Sequence, residues 1–172
     1  MEMVFAIGIL LIVVSAILAL SVSNAVGQKE SESQIIANNL AREGIEVVRS
    51  FRDSNWLAGR QWDFGLTDSP AAIAEFDSET NTWQFDFNYP DDLLYLSPDG
   101  VYSHDASGQP SVFHRYLTFD NICQDASGQE NIAASPCGLS QKIGIKVTAT
   151  VNWSERGRGR TIILEDFLYD WK

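Results

Sequence analysis

The sequence predicts an α+β protein in which a long N-terminal α-helix packs on an antiparallel β-sheet. Three observations predict it. Met3 to Leu20 form a nearly unbroken apolar run behind a single carboxylate, Glu2. No proline occurs before Pro70, so one helix can continue to about Arg52. From Asn55 onward, short alternating segments separated by turn residues replace the helical pattern.

The helix changes character along its length. Residues 1–27 are apolar on almost every side, as expected of a segment that sits in a membrane or a helical bundle. Residues 28–54 turn amphipathic, with Ile36, Leu40, Gly44, Val47, Val48 and Phe51 near helical spacing on one stripe. Arg42, Glu43, Glu46, Arg49 and Arg52 fall elsewhere and read as a solvated charged face, with Arg42–Glu46 and Glu46–Arg49 at supportive spacings. A helix of that length spans roughly 75 Å, too long for a compact domain to enclose. Gly27, near Ser21, Ser23 and Asn24, is its weakest point by propensity.

Residues 55–172 read as the sheet domain. Thr82 to Phe87 alternates, with Trp83, Phe85 and Phe87 on one face, and follows a Ser-Glu-Thr-Asn turn from a strand near Ile73–Phe76. Leu93–Leu96, Ser97-Pro98-Asp99-Gly100 and Val101-Tyr102 form a second hairpin. Asp105-Ala106-Ser107-Gly108 leads to a strand from about Val112 to Phe119. The clearest strand is Ile143–Trp153, with Ile143, Ile145, Val147, Ala149, Val151 and Trp153 on the apolar face. It turns through Glu155-Arg156-Gly157-Arg158-Gly159 into Arg160–Leu164.

Composition narrows the function classes. With 12 basic against 23 acidic residues, the chain is not a general nucleic-acid binder, which needs clustered Lys and Arg. Five Trp, five Tyr and nine Phe supply a core and argue against disorder. Cys123 and Cys137 match no metal-binding spacing and are expected to form a disulfide in an exported domain. His104 and His114 lack convergent partners in the sequence, so neither a catalytic residue nor a cofactor is expected. Asp120, Asn121, Asp125 and Glu130 lack the spacing of a calcium loop and read as turn acids. The sequon Asn152-Trp153-Ser154 falls inside a strand and reads as chance.

A carboxylate at the front of a membrane-type helix is costly in hydrocarbon and needs a partner or a role. The first Lys or Arg is Lys29. A secretory signal offers Ser23-Asn24-Ala25 as a cleavage site but needs a basic leader. A plain anchor satisfies the length but leaves Glu2 unexplained. The run Glu2-Met3-Val4-Phe5-Ala6-Ile7-Gly8-Ile9-Leu10 is similar to the assembly region of type IV pilins and pseudopilins. Ala41 to Arg49, with Asp53 and Trp56 following, resembles the second helical half of bacterial pilin-like proteins.

The resemblance covers the first third of the chain and implies a structural subunit. Helices of identical copies would form the core of an extracellular helical filament, with Glu2, Met3, Val4, Phe5, Ile7 and Leu10 as assembly residues. Glu2 would neutralise the N-terminal amine of a neighbouring copy, and the sheet domain would be exposed. The implied partners are the inner membrane before assembly, a prepilin peptidase and the pilus machinery. In that family a leader and a glycine cleavage site stand ahead of the glutamate, whereas Met1 stands there in this sequence. The resemblance also implies a Cys123–Cys137 loop available for lateral contacts or adhesion. Arg156, Arg158 and Arg160, the one basic cluster, read as a solvated hairpin tip; the sharper readings are a contact with an acidic face of the next subunit or a DNA contact, for which three arginines are few. The competing expectation is an anchored or secreted sheet domain that binds carbohydrate or another ligand through Trp56, Trp62 or Trp83.

Overall fold

The computed structural model of the protein describes residues 2–66, 70–77, 80, 82–89, 91–134 and 136–170. Met1, most of the Ser-Glu-Thr-Asn turn and the terminal Trp171-Lys172 lie outside the described residues. Helix α1 (Glu2–Leu57) begins and ends within a few residues of the expected bounds and is uninterrupted at Gly27. Contacts divide the chain into two compact units, Met1–Ile36 and Ala37–Lys172.

In the first unit, residues 2–25 are all exposed. The helix there is long and apolar enough to cross a membrane, and none of its apolar stretch is buried within the chain. The second unit has an ordinary core. Ala37, Leu40, Ala41, Gly44, Ile45, Val47 and Val48 of α1 are buried, whereas the expected stripe members Ile36 and Phe51 are only partly covered. The stripe is therefore wider than the larger residues alone indicated, because the alanines and Gly44 let the helix lie close to the sheet. A Cβ built on Gly44 would come within 2.9 Å of Leu117 Cδ2 and 3.7 Å of Ala149 Cβ.

The sheet is antiparallel with eight strands: β1 (Ala71–Asp77), β2 (Thr82–Asp86), β3 (Leu93–Leu96), β4 (Tyr102–Ser103), β5 (Gln109–Gln124), β6 (Glu130–Ala133), β7 (Gln141–Glu155) and β8 (Arg158–Tyr169). This is the predicted α+β class. Strand β5 organises it. Strand β7 occupies one edge of β5 from Phe113 to Gln124, so β3, β1 and β6, which pair with overlapping stretches of β5, must share the other edge. Strands β7 and β8 thus lie on one side of β5, and β1–β4 on the other.

Period-two alternation builds the core face. Phe113, Arg115, Leu117 and Phe119 of β5 are buried, as are Ile145, Val147, Ala149, Val151 and Trp153 of β7. Phe85 links this face to the helix, 4.6 Å from Phe51 and 6.0 Å from Phe119 between ring centroids. The β7–β8 connection differs from the expected five-residue turn. Glu155 pairs with Arg158 and Ser154 with Gly159, leaving Arg156-Gly157 as a two-residue loop. Both loop residues have positive φ, 53° and 73°, which matches the right-handed twist of the paired strands.

Candidate functional site

Every expected assembly residue lies in the first unit on an open helix face. Met3, Val4, Phe5, Ile7 and Leu10 are 60–81% exposed, and Glu2 is exposed at their head. The apolar residues surround the helix rather than forming one stripe: Ile9, Leu11, Ile12, Ile17, Leu18 and Leu20 are uncovered as well. A soluble monomer rarely leaves so large a contiguous apolar surface in water. By length and composition this surface suits a bilayer or a bundle of like helices.

The disulfide is present. Cys123 on β5 and Cys137 are joined, with Cα atoms 5.5 Å apart. The bridge closes a loop that contains β6, whose Glu130, Asn131 and Ile132 are exposed. Asp125 receives the N–H of Ser127 and of Gln129 and the Ser127 hydroxyl, so it caps its own turn. These bonds hold its carboxyl below the usual carboxylate range.

The charged helix face is not simply solvated. Glu43 Oε2 accepts from Arg115 Nη1 at 3.0 Å, and Arg115 is fully buried on β5. Arg49 bridges Glu46 at 2.6 Å and Asp166 of β8 at 2.7 Å, and its pKa is raised chiefly by the bond to Asp166. Arg52 is buried, beside Asp53 and over the Trp56 ring. The Glu43–Arg115 and Arg49–Asp166 pairs fix the second half of α1 to the sheet. No spacing rule within the helix could show them, because Arg115 and Asp166 lie far along the chain.

The two histidines have distinct surroundings. His104 sits between carbonyl oxygens, Nδ1 3.2 Å from that of Ala74 and Nε2 3.2 Å from that of Arg115. Burial, and then the nearby Arg115 charge, push its pKa down to about 4. Its unfolded-state value lies near 6.5, so between the two the unfolded chain binds the extra proton. Stability is expected to be complete above about pH 6.5 and to fall as the pH drops towards 4. Thermal melts across that range should show the slope, and His104→Gln should flatten it; an unchanged slope in that variant would assign the effect elsewhere.

His114 pairs instead with Asp92, Nδ1 to Oδ1 2.7 Å, with Asp91 Oδ1 at 3.8 Å. Donor atoms of Asp91, Asp92 and His114 all lie within 4.8 Å of one another, a set of two carboxylates and an imidazole that could hold a divalent cation. Asp91 Oδ1 is also engaged by the Leu93 N–H at 3.1 Å. Spacing along the chain does not show this convergence, which strand pairing creates by setting Leu93 opposite His114.

Of the tryptophans expected as an exposed binding surface, Trp62 is covered, whereas Trp56 and Trp83 are partly exposed. Trp62 is buried, with the Lys142 ammonium 5.4 Å from its ring centre. Trp56 lies under the Arg52 guanidinium, 4.7 Å from it, and Trp83 packs edge-on to Phe76 at 5.4 Å. Asn152 of the sequon accepts a hydrogen bond from the Thr161 hydroxyl across the strands. Arg156, Arg158 and Arg160 are all exposed at the β7–β8 tip. In comparisons with protein-family models, curated proteins and solved structures, nothing matches this chain.

Proposed function

We propose that the chain is a structural subunit of a type IV pilin-like filament, held in the inner membrane before assembly and displaying its sheet domain outside the cell. One observation carries the reading: a helix that is uncovered and apolar through residues 3–20 is headed by a lone carboxylate. The apolar surface needs hydrocarbon or like helices around it, and Glu2 distinguishes the two needs. A bilayer anchor gains nothing from an acid at its end. A bundle of copies gains register from it, because an unpaired carboxylate among apolar helices costs several kcal/mol. The Cys123–Cys137 bridge agrees with an oxidising, extracytoplasmic sheet domain.

Glu2→Ala and Glu2→Lys are expected to abolish filaments, seen by electron microscopy of shed and cell-bound material. Membrane levels and sheet-domain folding should stay unchanged, since Glu2 lies outside the second unit. Filaments of normal number and length from either variant would sink the proposal. They would leave the plain-anchor reading, in which the sheet domain functions as a monomer.

A further inference from the structure

Arg156 and Arg158 of the β7–β8 hairpin and an acidic groove lie on opposite sides of β5. In the groove, Phe76, Trp83 and Tyr102 offer aromatic surface, and Glu75, Asp99 and Asp105 line its sides. It comprises an open cavity of about 520 Å³ adjoining another of about 440 Å³, with Phe76 and Asp105 shared between them. Phe76 is 44% exposed, so the floor is apolar surface left in water. Glu75 and Asp99 form no ion pair among the described residues. The carboxylates also repel: the Glu75 carboxyl is pushed up by burial and then by Asp86 and Asp105. An acid-lined aromatic groove is the chemistry that holds a guanidinium, through ion pairing at the sides and cation–π contact at the floor.

The chain carries a matching donor. Arg158 and Arg160 alternate onto one face of β8, and Arg156 stands at the tip. Arg156 and Arg158 form no ion pair among the described residues, although the chain as a whole is acidic. Arg156 is moreover the single non-glycine residue with positive φ among the described residues. That place in a two-residue hairpin loop favours Asn, Asp or Gly, so an arginine there is a costly choice for the turn alone.

We infer that the β7–β8 hairpin of one copy docks its arginines in the groove between β1–β2 and β3–β4 of a second copy. The occupant is a second copy because donor and acceptor complement each other in charge and lie on opposite sides of β5. A contact between two different patches is heterologous and repeats without closing unless its rotation happens to form a ring. The inference therefore deepens the filament reading and rests on it, adding a sheet-domain contact to the one made by the helices.

The test uses the full chain in membranes, with a photoreactive phenylalanine analogue at Val101, an exposed groove residue. Mixing isotopically light and heavy copies in detergent before assembly separates crosslinks between copies from those within one. The expected product joins residue 101 of one copy to the 155–160 hairpin of another. It should fall on the order of tenfold or more in the combined R156N, R158E, R160E variant, because the reversed charges meet acids. Asn suits the turn, so this variant should keep its fold, checked by its thermal melt. Restoring the product by pairing it with an E75K, D99K copy would fix the partners. Crosslinks within one copy, to another protein, or undiminished in the reversed hairpin would overturn the contact. Filaments that persist without the crosslink would sink this contact and leave the helix-based assembly standing. A wild-type chain that neither assembles nor crosslinks would sink both.

Discussion

Glu43→Ala is expected to destabilise the sheet domain by about 3–5 kcal/mol, the cost of leaving a buried charge without its partner. Arg115 is 1% exposed and enters the core between α1 and β1. Its Nη1 donates to Glu43 at 3.0 Å and to the Leu40 carbonyl at 3.3 Å, and its Nη2 to the Ala74 carbonyl at 3.3 Å. The guanidinium stays charged at any ordinary pH, so losing the carboxylate cannot be relieved by losing a proton. Burial already pulls its pKa down, and Glu43 is what opposes that pull. Arg115→Met should cost much less than Glu43→Ala, because it removes the buried charge and leaves Glu43, itself partly exposed, able to turn to water. Urea denaturation of the two variants gives the comparison. Equal losses, or a larger loss in Arg115→Met, would show that Arg115 acts through packing and its backbone hydrogen bonds instead.

This pair also shows what could be read in the chain and what could not. Strand β7 was legible because Ile143, Ile145, Val147, Ala149, Val151 and Trp153 keep period two without a break, and all but Ile143, which is partly covered, are buried. Helix α1 was legible from its apolar half and its lack of proline. Strand β8 was expected to stop at Leu164 but runs to Tyr169. Glu165 and Asp166 interrupt its apolar pattern, yet each meets a cation, Lys146 at 2.6 Å and Arg49 at 2.7 Å. Strand β5 likewise outran its expected Val112–Phe119 span at both ends, where polar residues pair with β3 and β6. Charges that look like breaks in a strand, or like solvent contacts on a helix, take their meaning from partners far along the chain. Period and propensity carry no information about those partners. The groove was hidden for the same reason: Glu75, Asp99 and Asp105 come from three separate turns and strands.

Removing the disulfide is expected to cost about 3 kcal/mol, from the conformational freedom regained by a loop whose ends are 14 residues apart. For a chain of this size that lowers Tm by about 6–12 °C. Alanine is the informative replacement at Cys123, which is 2% exposed, because serine would add an unsatisfied hydroxyl to the core. The loss should be local in its first effects. Among the described residues, strand β6 pairs only with β5, through four residue pairs from Asn121↔Ala133 to Gln124↔Glu130, and three of its four residues are exposed. Beyond that pairing, the Tyr169 hydroxyl reaches Glu130 at 3.2 Å, an exposed bond of small net value. Hydrogen exchange in the Cys123→Ala, Cys137→Ala double variant should therefore quicken at residues 130–133. The long β5–β7 ladder, continuous from Phe113 to Gln124 apart from one shift at Cys123, should keep its protection. Exchange that quickens evenly across β5, β6 and β7 would mean that the bridge holds the whole sheet together. An unchanged Tm would mean that strand pairing alone already orders the loop. If β6 alone loosens, the bridge keeps a weakly paired edge strand and its exposed loop fixed at the protein surface, as a lateral contact between copies would require.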